Sequence, residues 1–260
     1  SHHAILDGWS IASLVTELAN VYFGLRKDDY VHQPLKHSYK DYVIEQMAVR
    51  ENEYIRSYWR EELDDYKRLE FKPIDYVESG EYERVDAKYS LDKETVEQLK
   101  GLSSEVNTSI KSLFFAAYAY TMNMTCYSSD FVVGLVEHNR PVCEDGEKIL
   151  GCFLNTVPVR LRFEKGITWK DYIDYIDGKL IDLKTYGRLP LFEIAKTIGE
   201  STDNENPLFD TLFNYIDFHV MNMVSDEAVF QVDNDDVGEG HTKTNTLLNF
   251  TVINADSDLT

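Results

Sequence analysis

The feature that most constrains the fold of this chain is a helical segment between residues 107 and 124 that is apolar on nearly every side. Its middle is the run from Phe114 to Ala119, and Asn107 or Thr108 can cap its start. A helix without a polar face is stable in water only when it is buried. We therefore expect this helix in the interior of the protein.

Strands and helices alternate along the rest of the chain. The spacing of apolar residues predicts one or two helices within 39–69, further helices over 9–25, 93–102 and 168–184, and strands over 83–91, 131–136, 153–163, 208–218 and 247–253. This order indicates an α/β or α+β fold with one large domain or two smaller ones. Residues 70–82 have no clear period and contain Pro73 and Gly80, so we expect a boundary there.

The composition argues against several classes of function. Asp and Glu outnumber Lys and Arg by 46 to 26, and the net charge of −20 argues against a surface for nucleic acid or for an anionic membrane. No apolar run approaches the roughly 18 residues that span a bilayer. Cys126, Cys143 and Cys152 form no C-x-x-C pair and indicate free thiols in a reducing compartment. We expect a soluble cytoplasmic protein.

The densest group of reactive residues is His2-His3-x-x-x-Asp7-Gly8, just before the first predicted helix. Histidine can exchange a proton near neutral pH, Asp7 can fix the loop, and the Gly8 amide at a helix N-terminus can stabilise negative charge on oxygen. These groups suit acyl transfer from a thioester to an amine. By themselves they also fit a chance match or the stub of a purification tag. No Cys or Glu at ligand spacing joins the histidines, so no metal site is predicted.

The wider sequence resembles the condensation domains of nonribosomal peptide synthetases in five ordered segments. The first, from His2 to Ser10, is similar to the family's HHxxxDGWS signature. The others are Y-x-D-Y at 39–42 with a Tyr-Trp pair at 58–59, D-x-V-x-G at 130–134 with Asn-Arg-Pro at 139–141, L-G-C-F-L-N-T-V-P-V-R at 150–160 and N-P-L-F-D-T-L-F-N at 206–214. Five matches in the family's order are a specific signal.

The resemblance implies a fold like that of chloramphenicol acetyltransferase, a two-layer mixed sheet with helices, repeated in the two lobes of a V-shaped pseudo-dimer. Residues 1–75 would be the end of the N-terminal lobe, with the active-site loop and crossover helices, and residues 80–260 the C-terminal lobe. The chain begins abruptly at Ser1, so we expect a fragment that lacks upstream strands. The apolar face of the helix at 9–25 would then be partly exposed.

The activity that the resemblance implies is peptide-bond formation. The amine of a carrier-bound acceptor amino acid would attack the thioester of a donor acyl or peptidyl group. The implied partners are donor and acceptor peptidyl carrier domains and an adjacent adenylation domain. The carriers would bring phosphopantetheine, and no tightly bound cofactor or metal is expected.

Roles for individual residues follow from the same resemblance. His3 would act as general base or position the amine, and His2 would orient the loop. Asp7 would be structural and paired with an Arg, for which Arg140 is the candidate within this chain. Gly8 would donate its amide to the oxyanion. Asn155 would either line the tunnel between the lobes or cap a strand end.

One segment departs from the family pattern. The usual H-Q-D-x-P-F-E appears as the run from Tyr186 to Glu193, which keeps the Pro and Glu and leans toward subtypes that accept a D-configured donor. Two other functions stay open: a stand-alone H-x-x-x-D acyltransferase that uses acyl-coenzyme A, and a catalytically silent module that docks synthetase domains. The sequence has no Lys/Arg cluster for nucleotide phosphates, which argues against the first. The intact His3 and Asp7 argue against the second.

Overall fold

The computed structural model describes residues 5–28, 30–69, 71, 85–201, 206, 208–217, 246–255 and 258–260. Within these residues the helices are α1 (Gly8–Lys27), α2 (Tyr39–Arg50), α3 (Glu53–Glu62), α4 (Lys93–Glu105), α5 (Ile110–Cys126), α6 (Trp169–Tyr186) and α7 (Leu191–Ile198). The strands are β1 (Asp130–His138), β2 (Leu154–Arg162), β3 (Thr211–Asp217), β4 (Leu248–Ala255) and β5 (Asp258–Leu259). None of these helices is long and apolar enough to cross a membrane, in the part of the chain described.

The strands form one mixed sheet in the order β2-β1-β3-β4-β5. β1 and β2 pair antiparallel along their whole length, from Asp130 opposite Arg162 to His138 opposite Leu154. β3 runs parallel to both β1 and β4, and β5 is antiparallel to β4. The mixed sheet and its helices confirm the predicted α/β class.

The apolar helix predicted at the centre of the core is α5. Phe115 and Ala119 are fully buried, and the ring of Phe115 packs against Phe213 of β3 with centroids 5.2 Å apart. On another side, the Tyr172 hydroxyl of α6 donates to the Ala116 carbonyl at 2.7 Å. The predicted caps were wrong: Ser109 caps α5, because its hydroxyl accepts from the Ser112 amide at 3.0 Å.

Helix α3 packs into this same core. Trp59 is fully buried and its indole nitrogen donates to the Tyr186 carbonyl at 3.0 Å. Tyr58 stacks on Tyr186 with ring centroids 3.7 Å apart. Glu193 of α7, which is almost completely buried, accepts from the guanidinium groups of Arg50 and Arg56. Both apolar and charged contacts therefore hold α3 against α6 and α7.

Helix α1 packs less completely. Ser10 and Ala19 are its buried residues, whereas Leu14 and Leu18 are exposed over 43% and 67% of their surfaces. The predicted exposure of its apolar face is therefore confirmed.

The prediction of a strand over 83–91 was wrong for the residues described. Residues 85–91 have no regular secondary structure, and Val85 and Tyr89 are exposed. The Leu91 amide donates to the Leu259 carbonyl at 2.9 Å, one bond where a strand needs a ladder. Residues 83 and 84, and the expected boundary at 70–82 except for residue 71, lie outside the described residues.

Candidate active site

The candidate site lies where the start of α1 meets the segment between β1 and β2. Asp7 caps α1, because its Oδ1 accepts from the Ser10 amide at 2.7 Å. His2 and His3 lie outside the described residues. Gly8 is the first residue of α1 and is exposed, and its amide belongs to the turn whose donors have no partner inside the helix.

Asp7 and Arg140 form the ion pair that the sequence analysis expected. Nη2 of Arg140 lies 3.1 Å from Oδ1 of Asp7, and both side chains are more than nine-tenths buried. Arg140 also donates to the Ile149 carbonyl at 2.6 Å and to the Ser10 hydroxyl at 2.9 Å, and it lies 4.2 Å from the ring centroid of Phe153. Burial lowers the pKa of Arg140, and the Asp7 carboxylate opposes that effect.

The Asp7 carboxylate is occupied on both oxygens. Oδ1 accepts from the Ser10 amide and from Arg140, and Oδ2 accepts from the Phe153 amide at 3.1 Å. This arrangement fits a structural group better than one that exchanges a proton with a substrate.

Ser10 links α1 to Gly151, a contact that the sequence analysis did not predict. The Ser10 hydroxyl donates to the Gly151 carbonyl at 2.7 Å and accepts from the Gly151 amide at 3.1 Å. The Asp7 amide donates to the same carbonyl at 3.2 Å. Ser10 and Gly151 both lie in segments that resemble the family's motifs. That resemblance is the one signal in the sequence that could have predicted their contact.

Hydrogen bonds also hold Cys152 and Phe153, the two residues that follow Gly151. The Cys152 carbonyl accepts from the Tyr39 hydroxyl at 2.9 Å, and the Phe153 carbonyl accepts from the Asn139 amide at 2.8 Å. Tyr39 and Tyr42 pack on the Phe153 ring, with centroids 5.2 and 4.8 Å away. Desolvation by burial raises the pKa of Tyr39, and it raises that of Tyr42 to about 12. Both phenols are therefore neutral at physiological pH.

Asn155 makes three hydrogen bonds across the fold. Its Nδ2 donates to the carbonyls of Gly187 and Leu189 at 2.8 and 2.9 Å, and its Oδ1 accepts from the Leu191 amide at 3.3 Å. The side chain thus fixes the turn between α6 and α7. These bonds resemble the capping alternative, but on a turn rather than a strand end. They lend no support to a tunnel-lining role.

An open groove of about 1310 Å³ lies beside Arg140, bounded by α2, by the turn from α4 to α5 and by α6. Its charged groups are largely matched: Lys111 pairs with Glu137, and Asp177 accepts from the hydroxyls of Thr108 and Ser112 at 2.7 Å each. Among the described residues no group of three His, Cys, Asp or Glu side chains could hold a metal ion.

A family model described as the condensation domain matches residues 1–260. A plipastatin synthase protein of Bacillus subtilis is 28% identical over 222 residues, which are 83% of this chain and 8% of that protein. Tyrocidine synthase 3 of Brevibacillus parabrevis is 28% identical over 236 residues, which are 88% of this chain and 4% of that protein. The chain therefore spans a small part of these curated relatives.

Solved structures have the same fold. The first condensation domain of the calcium-dependent antibiotic synthetase, in complex with a substrate analogue, has a TM-score of 0.64 at 19% identity, covering 83% of this chain and 46% of that chain. VibH, a nonribosomal peptide synthetase condensation enzyme, has a TM-score of 0.66 at 18% identity, covering 84% and 51%. The X-domain of teicoplanin biosynthesis, solved with OxyB, has a TM-score of 0.67 at 18% identity, covering 83% and 50%. The chain spans about half of each.

Proposed function

The chain belongs to the condensation domain family, and from this premise we propose that it forms peptide bonds in a nonribosomal peptide synthetase. The observation that carries the proposal is the buried Asp7–Arg140 pair, which anchors the end of the His2-His3-x-x-x-Asp7-Gly8 motif beside an open groove. The substrates would be a donor acyl or peptidyl thioester and an acceptor amino acid, each on the phosphopantetheine of a peptidyl carrier domain. An adjacent adenylation domain would load the acceptor.

In the proposed reaction the acceptor nitrogen bonds to the donor carbonyl carbon and the carbon–sulfur bond of the thioester breaks. The thiol leaves on the donor carrier, and the proton lost by the amine passes to that sulfur. His3 would accept this proton or orient the amine, and His2 would orient the loop. Gly8 would donate its amide to the tetrahedral oxyanion. Asp7 and Arg140 would hold the loop without touching the substrate.

The division of the chain is also a proposal. Residues 1–75 would form the end of the N-terminal lobe and the crossover, and residues 80–260 the C-terminal lobe of the pseudo-dimer. The packing of α3 against α6 and α7 supports a crossover that lies on the second lobe. We place the protein in the cytoplasm, where its carriers would be loaded.

Two other functions have less support. An acyltransferase for free acyl-coenzyme A needs several unpaired cations for the nucleotide phosphates. At the groove, Lys111, Arg140 and Arg188 are paired with Glu137, Asp7 and Glu45, which leaves Lys184 as the one lysine or arginine of its lining without an ion pair among the described residues. A silent docking module is a candidate because the X-domain solved with OxyB has the same fold. The intact His3 and Asp7 favour the enzyme.

The test is His3→Ala in a synthetase that contains this domain between its two carriers. We expect dipeptide formation to fall by about 10²- to 10⁴-fold, the usual cost of losing an acid–base group. Aminoacyl loading of both carriers should be unchanged. His32→Ala, in the exposed loop after α1, is the matched control and should condense normally. Near-normal dipeptide formation by His3→Ala would refute the catalytic assignment.

A further inference from the structure

Tyr39 and Gly151 fit together too closely for any other residue at position 151. A Cβ atom built on Gly151 would lie 2.1 and 2.2 Å from two carbons of the Tyr39 ring. Real Cβ atoms do not approach other atoms so closely, so a side chain here would push the ring away. The ring is itself confined, because it packs on both Tyr42 and Phe153. The Tyr39 ring is therefore confined between the backbone of Gly151 and the rings of Tyr42 and Phe153.

The backbone from Gly151 to Phe153 connects this contact to the candidate site. Tyr39 binds the middle of the segment through the Cys152 carbonyl. The two ends of the segment bind Asp7 and Ser10, at the residues that begin α1. A shift of the tyrosine ring would thus move two hydrogen-bond partners of Asp7, the Gly151 carbonyl and the Phe153 amide.

From these contacts we infer that Tyr39 is a positioning residue for the proposed peptide-bond formation. It fixes the 151–153 segment, and the segment fixes Asp7 and Ser10, which begin the helix that directly follows the His2-His3 pair in the sequence. The inference rests on the proposed function, since it assigns Tyr39 to the same reaction. It adds that Tyr39, at the start of α2, affects the rate of the chemical step through the 151–153 segment. Small displacements of a reacting group can cost about 10²-fold in rate.

The test uses single-turnover condensation in the complete synthetase, with both carriers loaded. Tyr39→Phe keeps the ring and loses only the bond to Cys152, so we expect the single-turnover rate to fall about tenfold. Gly151→Ala displaces the ring, and we expect about a 10²-fold loss. For both variants aminoacyl loading of the two carriers should be unchanged. Tyr89→Phe and Gly178→Ala are the controls, since Tyr89 is exposed and a Cβ at Gly178 has nothing within 4 Å.

A second comparison separates positioning from a loss of folding. In a His3→Ala background, Tyr39→Phe should cause no further loss, because the group that it positions is gone. Equal fractional losses in the two backgrounds would overturn the inference, since Tyr39 would then act on the fold alone. A wild-type rate for Tyr39→Phe beside an inactive His3→Ala would also overturn it while leaving the proposed function standing. Full activity of His3→Ala would instead reject the proposed function and the inference with it.

Discussion

Asp7 and Arg140 are 133 residues apart in the chain, yet their side chains meet at 3.1 Å, with 3% and 7% of their surfaces exposed. The pair joins the end of the histidine motif to the segment after β1. A buried pair of this kind stabilises only while both partners are present, since removing one leaves an isolated charge in the interior.

Asp7→Ala should therefore lower the free energy of unfolding by about 3–5 kcal/mol and reduce condensation as well. Chemical denaturation of the variant, monitored by circular dichroism, measures the first effect. Glu144→Gln is the control, because it breaks the exposed Lys36–Glu144 pair and should cost about 1 kcal/mol or less. An Asp7→Asn variant that is fully stable but inactive would point to a direct chemical role for Asp7.

Gly8→Ala separates the proposed oxyanion donor from the fold. A Cβ at Gly8 has nothing within 4 Å, and Ala is favoured over Gly in a helix by about 1 kcal/mol, so we expect stability to be retained or slightly raised. If the donor carbonyl approaches the Gly8 amide, the added methyl group should slow condensation. The measurement pairs thermal unfolding with the single-turnover rate. Wild-type activity in Gly8→Ala would argue against substrate at this amide.

Stability at low pH should depend on Asp130. Hydrogen bonds from the buried Arg160, at 2.8 and 2.7 Å, lower the pKa of Asp130 in the folded protein. An acid whose pKa is lower when folded stabilises above its unfolded value, near 4, and that contribution is lost as the pH falls through the folded value. Asp130→Asn should therefore be less stable at pH 7, with a shallower loss of stability below about pH 4.

The exposed Glu164 serves as the comparison, because no ion pair to it is found within the described residues. Denaturant titrations of Glu164→Gln at several pH values should follow the parent chain. A parallel acid profile for Asp130→Asn and the parent would show that Asp130 does not contribute to acid unfolding.

Amide hydrogen exchange should differ between α1 and α3 in the 260-residue chain. Two residues of α1 are buried, whereas α5 buries seven and α3 contributes Trp59 to the same core. Local opening is easiest where few apolar contacts are lost. Mass spectrometry should find α1 exchanging faster than α3 and α5. Equal protection of α1 and α5 would mean that the exposed face of α1 is covered in solution.

Periodicity predicted the elements that carry strong patterns. The apolar α5 and the strands β1 and β2 were found because burial on several sides leaves long runs of apolar residues. Helix α7 was missed, since its eight residues give too short a window for a period. The alternation at 85–91 was real, but no strand among the described residues forms a ladder with it. Tertiary pairing decides whether such a segment becomes a strand.

The sequence predicted one contact of the candidate site and missed others. The Asp7–Arg140 pair came from the family resemblance, which brings distant segments together. Ser10, Tyr39 and Gly151 stood in the same segments without a role, because hydrogen bonds across more than a hundred residues have no local pattern. Asn155 stayed ambiguous for the same reason, since its three partners follow 32 to 36 residues later.

The packing of α3 against α6 and α7 limits where related synthetases can be recombined. Trp59 fits a surface made by residues more than a hundred positions further along, and emptying such a site costs about 3–5 kcal/mol. A hybrid joined between α3 and α4 would set that indole, and Arg50 and Arg56, against a foreign surface. A junction before Tyr39 keeps these contacts within one parent. We therefore expect functional hybrids to take α2 and α3 from the same parent as the sheet that follows them.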